Sequence, residues 1–286
     1  MDSGAIKQKY ESDGYVVLRR FLPPSLVSGM KQAASRIVDT MARRRFQAGR
    51  TSEAFKNEPL ESRFIKLYEE DQNNAPTEFS NELHTDDFFD VLFYPPLLNL
   101  AEAVLGHEIR IAPGYFLRPK AFPDDRFRSM WHQDTAYLYL GNQGFKRTDF
   151  DGIRTMNVWT PIVPVNRENG CMQFIPGTHR NGMADHIPQP PYNYLEIDPK
   201  VLHPALQSGP VVDVVLNPGD AVLFNTLLFH QGQDNRSGRV RWSMDFRYQD
   251  ARQPTLIDLQ GHLVRSRNHP GRTVRTARQW CNLKMS

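Results

Sequence analysis

The chain has 286 residues, 40% hydrophobic, 11% aromatic and 23% charged, with 35 Lys and Arg facing 32 Asp and Glu. That balance excludes disorder driven by low hydrophobicity and high charge, and it argues against a nucleic-acid surface, because the short basic cluster Arg43, Arg44 and Arg45 reads as a solvated helix end. With 18 Gly and 21 Pro spread along it, the sequence favours many short elements joined by turns over a helix bundle.

The N-terminal part has helical texture. After Pro23 and Pro24, the residues Leu26, Val27, Met30, Ala33, Ala34, Ile37, Val38 and Met41 fall at helix spacing and predict a core-facing helix. Residues 46–94 are irregular and read as loop with short helices. A further helix begins near Pro95 and Pro96, carries Leu97, Leu98, Leu100, Ala101, Val104 and Leu105, and stops at Gly106. From 109 onward short strands are predicted at 109–118, 130–140, 154–163, 171–175, 211–216, 221–224, 228–232 and 239–248. In the last, Val240, Trp242, Met244, Phe246 and Tyr248 alternate with Arg241, Ser243, Asp245 and Arg247, so one face packs and the other is polar. The expectation is a mainly β chain with flanking α, a jelly roll supported by N-terminal helices. One domain over 1–286 is expected: helical support and lid over 1–108, roll core over 109–250 and a C-terminal extension over 251–286.

Two cysteines, Cys171 and Cys281, have no Cys-x-x-Cys or Cys/His zinc spacing, so a reduced, cytoplasmic setting is expected. No uncharged apolar run approaches the ~18 residues of a membrane span, so the protein is expected to be soluble, with no membrane and no nucleic-acid partner.

The sharpest local feature is Trp131-His132-Gln133-Asp134. On a strand, residues i and i+2 project to one side, so His132 and Asp134 can offer a nitrogen and an oxygen to one ion. His84 and Asp86 repeat the spacing in an irregular region, where it does not converge side chains. Downstream, the segment from Asn217 to His230 forms a turn, an apolar strand and a return that ends on a lone His. Two His and one carboxylate leave open positions on a metal, as non-haem Fe(II) needs to bind a cosubstrate and O2; zinc fits the ligand types less typically. Arg241, on the polar face of the last strand, can grip a planar carboxylate, which with iron suggests a keto acid. The alternatives are a structural pairing of Arg241 with Asp245, and Arg239 in its place. By position, Tyr137, Tyr139 and Arg247 are expected near the substrate, and residues 141–154 and 46–94 as lids.

In this order and spacing the chain resembles the phytanoyl-CoA dioxygenase family of iron(II)- and 2-oxoglutarate-dependent oxygenases. The resemblance runs from Asp13-Gly14-Tyr15-Val16-Val17 and Phe21-Leu22 through His132-Gln133-Asp134, Trp159-Thr160 and Asn169-Gly170-Cys171. It continues with Ile175-Pro176-Gly177-Thr178-His179, Gly219-Asp220, His230, Asn235 and Arg241. It implies a cupin-like double-stranded β-helix, iron held by His132, Asp134 and His230, 2-oxoglutarate with its far carboxylate on Arg241, and Trp159 near that cosubstrate. It also makes His179 a structural residue closing a turn. Two positions depart from the pattern: Gly232 stands where many members have a Ser that contributes to cosubstrate binding, and Arg118-Pro119 where members often carry Lys-Pro.

The implied reaction oxidises a C–H bond of a small-molecule substrate and releases succinate and CO2. Hydroxylation is the default, with desaturation, epoxidation and cyclisation open. Related halogenases replace the carboxylate ligand with a small residue, so Asp134 argues against chlorination. A natural-product intermediate is expected over a CoA thioester. The rival reading is a non-catalytic or 2-oxoglutarate-independent jelly roll that binds a metal or ligand. Monomer and homodimer are both open, since Phe88, Phe89, Phe93 and Tyr94 suit either a dimer face or the core.

Overall fold

The computed structural model describes residues 2–123, 129–140, 150, 152–191, 194–255 and 259–283, with side chains for all of these but 138–140. Helix α1 (Ser3–Asp13) is capped by the Asp2 carboxylate, which accepts from the Ala5 N–H, and it ends where Gly14 turns left-handed at φ +81°. Strand β1 (Tyr15–Leu18) follows, then α2 (Pro24–Gln47), entered through a proline in its first turn and burying Met30, Ala33, Ala34, Ile37 and Val38. The stretch expected to be irregular holds α3 (Leu60–Tyr68) and α4 (Asp86–Leu92); α5 (Pro95–Leu105) then stops at Gly106. By length and hydropathy 86–105 would span a membrane, yet it is broken at Phe93 and Tyr94 into two helices and is half buried inside the protein. Phe88 is fully buried, and Phe89, Phe93 and Tyr94 pack partly against the same core.

The strands are β2 (Ile109–Ile111), β3 (Phe116–Lys120), β4 (Ser129–His132), β5 (Thr155–Pro161), β6 (Met172–Phe174), β7 (His186–Gln189), β8 (Tyr194–Ile197), β9 (Val212–Val214), β10 (Ala221–Asn225), β11 (His230–Gly232), β12 (Arg241–Asp250) and β13 (His262–Arg265). Further α-helices are α6 (Asp134–Leu140), α7 (Pro199–Ser208) and α8 (Ala277–Cys281). All pairings among the described residues are antiparallel. A seven-stranded sheet runs β1-β10-β5-β12-β2-β13 with β3 also on β12, and a four-stranded sheet runs β4-β11-β6-β9. The helices cover the outer face of the larger sheet: Met30, Val38, Phe64, Leu97 and Ala101 share a core with Val158, Met244, Phe246 and Tyr248. A second core, with Tyr15, Trp159, Met172, Phe174 and Phe224, joins the two sheets. This is the jelly roll expected from the strand pattern.

Several elements differ from the sequence reading. The expected strand 130–140 stops at His132, and Asp134 opens a helix instead. Gln133 marks the turn: its fully buried side chain donates to the Gly182 and Leu227 carbonyls and accepts from the Ala184 N–H, tying the chain to two other loops there. The expected strand 109–118 is two strands, β2 and β3, broken at Gly114, whose φ is +87°. The sequence pattern does not predict β1, the β7–β8 hairpin, α1, α7, β13 or α8. The C-terminal segment is part of the core, because Trp280 is fully buried, donates to the Leu83 carbonyl and stacks on His84 at 4.3 Å.

Candidate functional site

Between the two sheets lies a cavity of about 700 Å³. His132 ends β4 and His230 begins β11, and the two are direct partners across that strand pair. Their imidazoles tilt together with centroids 4.1 Å apart. Each ring is fixed by its own backbone: His132 Nδ1 bonds the Met130 carbonyl at 2.6 Å and His230 Nδ1 the Leu228 carbonyl at 2.8 Å. Nδ1 therefore carries the proton and Nε2 keeps its lone pair, the tautomer a metal ligand needs. Both Nε2 atoms face one oxygen of Asp134, Oδ1, at 3.4 and 3.5 Å. The three donor atoms lie within 4.8 Å of one another, although Asp134 is helical and the strand argument that paired it with His132 does not apply.

The electrostatics favour a charged carboxylate beside a neutral His132. Burial works to raise the Asp134 pKa, but the Arg247 guanidinium, first among the polar groups around it, outweighs burial and holds that carboxyl well below its ordinary value. Burial, reinforced by repulsion from His230, lowers His132. Asp134 Oδ2 accepts from Asn157 Nδ2 at 2.8 Å and from Arg247 Nη2 at 3.2 Å. Arg247, expected near the substrate, does line the cavity but spends its donors on Asp134, Asn157 and the Gly114 carbonyl.

At another wall of the cavity sits Arg241. Its side chain is buried, its Nε has no hydrogen-bond partner among the described residues, and its guanidinium lies 5.4 Å from the ring centre of Trp159. Burial depresses its pKa to about 10, which still leaves it charged at neutral pH. The structural pairing with Asp245 does not form: Asp245 instead accepts from Arg118 Nε at 2.6 Å, and Arg118 also reaches Glu78. Arg239 is exposed, while Asn235 ties its loop by donating to the Lys120 and Arg239 carbonyls. Lys120 faces Arg241 across the β3–β12 pair and donates to the Gly232 carbonyl. A Cβ at Gly232 would lie 3.2 Å from Ser129 Cβ and 3.3 Å from Lys120 Nζ, so these two side chains crowd the place where the family pattern has a serine.

Of the remaining expectations, Tyr137 lines the cavity edge-on to His132. The side chain of Tyr139 and most of the lid expected at 141–154 lie outside the described residues. Thr77 and Glu78, within the other expected lid, reach the cavity wall. His84 is structural, bonded to the Trp280 carbonyl and the Tyr115 hydroxyl. His179 bonds the Glu11 carbonyl, and a Cβ on Gly14 would lie 2.5 Å from its Nδ1, so this contact holds α1 against the roll. Sequence reasoning missed Asn157 and Gly114 as neighbours of the site, since neither carries a local signal.

The family model described as phytanoyl-CoA dioxygenase (PhyH) matches residues 10–243. The chain belongs to the phytanoyl-CoA dioxygenase family. It is therefore a non-haem iron, 2-oxoglutarate-dependent oxygenase by family. Among curated relatives, a Caenorhabditis elegans protein named "Probable phytanoyl-CoA dioxygenase" is 22% identical over 260 residues, covering 88% of this chain and 77% of its own. The dioxygenase cdmD of Talaromyces verruculosus is 24% identical over 241 residues, covering 82% of this chain and 69% of its own. Among solved structures, EctD from S. alaskensis with 2-oxoglutarate and 5-hydroxyectoine superposes with a TM-score of 0.60 at 17% identity, over 88% of this chain and 77% of that one. At that identity the likeness is one of fold. The family's iron and keto acid suit the residues present: a His/Asp/His donor set with its tautomers fixed, and a buried cation whose Nε lacks an acceptor.

Proposed function

We propose that this phytanoyl-CoA dioxygenase family member oxidises a C–H bond of a small organic substrate, hydroxylating it by default, with release of succinate and CO2. His132, Asp134 and His230 would hold the iron, and Arg241 would take the far carboxylate of 2-oxoglutarate. One observation carries the reading: a buried guanidinium whose Nε has no hydrogen-bond partner among the described residues shares a cavity with the three converging ligand groups. A buried guanidinium with an unsatisfied donor is costly to fold around, so its place in this cavity points to an anionic ligand that completes it.

Bound iron with 2-oxoglutarate supplies the oxidising power, spending O2 and converting the keto acid to succinate and CO2. The chain's own residues bind, orient and shield. Trp159 packs beside the Arg241 guanidinium and limits its directions. Lys120 and Ser129 border the same end, where Lys120 adds positive charge and Ser129 offers a hydroxyl that Gly232 lacks. Phe116 and Tyr137 line the cavity and would border the reacting carbon. A biosynthetic small molecule is the substrate class we favour, supported by a neighbour titled as the epimerase SnoN from nogalamycin biosynthesis, which superposes with a TM-score of 0.53 at 19% identity over 87% of this chain and 83% of that one. The free thiols of Cys171 and Cys281 support a reducing, cytoplasmic setting.

The test is spectroscopic. Anaerobic Fe(II) and 2-oxoglutarate should produce a weak visible charge-transfer band in wild type, lost in His132→Ala and in Arg241→Ala. Wild-type protein that gives no band, and forms no succinate with any compound of a metabolite screen, overturns the reading.

A further inference from the structure

Arg247 and Asn157 form a closed triangle with Asp134. Arg247 Nε donates to Asn157 Oδ1 at 3.1 Å, Asn157 Nδ2 donates to Asp134 Oδ2 at 2.8 Å, and Arg247 Nη2 donates to the same Oδ2 at 3.2 Å. The two clamp residues are direct partners in the β12–β5 register, so the triangle stands on one rung of the larger sheet. Asp134 comes from the other side of the cavity, directly after β4 of the smaller sheet. Arg247 is anchored a third time, by Nη1 on the Gly114 carbonyl at 2.6 Å. Gly114 has φ +87°, and a Cβ there would lie 2.9 Å from that Nη1, so the bend between β2 and β3 must be glycine for the arginine to reach inward.

We infer that Arg247 and Asn157 are positioning residues that make Asp134 a one-oxygen metal ligand. The inference rests on the metal-site reading above. Both donors fall on Oδ2, while Oδ1 alone faces the two histidine Nε2 atoms. A carboxylate free to rotate can offer both oxygens to a cation and take an extra coordination position. In a two-His, one-carboxylate site those positions are reserved for cosubstrate and O2. The clamp keeps them open, and it fixes the carboxylate before any metal arrives. This gives Arg247 a role different from substrate contact.

The full-length protein without cosubstrate or substrate, titrated with Co(II), tests this through affinity and visible absorption. Outer partners of metal ligands typically contribute about 10–100-fold to affinity. Arg247→Met and Asn157→Ala should each weaken Co(II) binding within that range and change the band intensities that report coordination number, with Arg247→Lys in between. Should Arg247→Met fail to fold, Asn157→Ala removes one donor and leaves the arginine in place. Gly114→Ala should shift the same bands by displacing Nη1. Wild-type affinity and spectra in Arg247→Met and Asn157→Ala overturn the inference. His132→Ala separates the two claims, because unchanged Co(II) binding in that variant overturns the metal-site reading itself.

Discussion

The two polar regions of the cavity solve opposite problems. Around Asp134 every strong donor is spent: Arg247 reaches Asp134, Asn157 and Gly114, and both histidine Nδ1 atoms are bonded to backbone carbonyls. Around Arg241, by contrast, a guanidinium is buried beside Trp159 with its Nε unbonded. Completed networks belong to positioning, since they hold their geometry in the empty protein. An incomplete one stores an unmet interaction that only a ligand relieves, so the contrast separates groups that orient from groups that bind.

If that contrast is right, the two regions should respond differently to mutation. Arg241→Met should give the largest effect, weakening 2-oxoglutarate binding by about 1,000-fold, or ~4 kcal/mol, while the melting temperature of the ligand-free protein holds or rises. A calorimetric titration beside a thermal melt measures both, and a large fall in melting temperature would place Arg241 among the structural residues. Asp134→Ala should do the reverse. It strands Arg247 without its anion and should lower stability by about 3 kcal/mol in urea unfolding, as well as abolishing metal binding.

Gly232→Ser should matter less. Its Cβ needs Lys120 and Ser129 to give by a few tenths of an ångström, and one added hydroxyl is worth about 1 kcal/mol. A change in 2-oxoglutarate affinity beyond about fivefold in either direction would mean that the crowding there is not as described.

The smallest effect lies far from both regions, at His84 between Trp280 and Tyr115. Burial lowers its pKa, opposed by its bond to the Trp280 carbonyl. The folded ring therefore takes up its proton at a lower pH than the unfolded chain, which protonates near pH 6.5. This contribution is complete above that pH and is lost as pH falls below it. Between pH 7.5 and 5.5 the wild-type melting temperature should drop more steeply than that of His84→Gln; equal slopes would remove His84 from the acid response.

The sequence made these residues legible to different degrees, for physical reasons. Helices α2 and α5 announce themselves by apolar spacing and by Pro and Gly at their ends. The polar alternation of β12 likewise places Arg241, Asp245 and Arg247 on one face. Those signals are local in the chain. The turn at Gln133 is not, because it is tied by hydrogen bonds to Gly182, Ala184 and Leu227, roughly fifty to ninety residues away. Asp134 was paired with His132 for a strand geometry it does not have; the structure still brings the two together, by a helix start. The clamp was invisible for the same reason: Arg247 meets Asn157 and Gly114 across 90 and 133 positions, and nothing near Arg247 in the chain distinguishes it from a substrate contact.

Strand β12 carries both Arg241 and Arg247, six residues apart on one face. At roughly 3.3 Å per residue that separation is about 20 Å along the strand, so β12 acts as a ruler spanning the interior. Its graduations cannot be moved singly. Deleting or inserting one residue between the two arginines would turn one of them to the opposite face, and a two-residue change would keep the face but misplace one end by about 7 Å. Length variation among relatives is thus expected in the loops at either end of this strand, and substitution without length change within it.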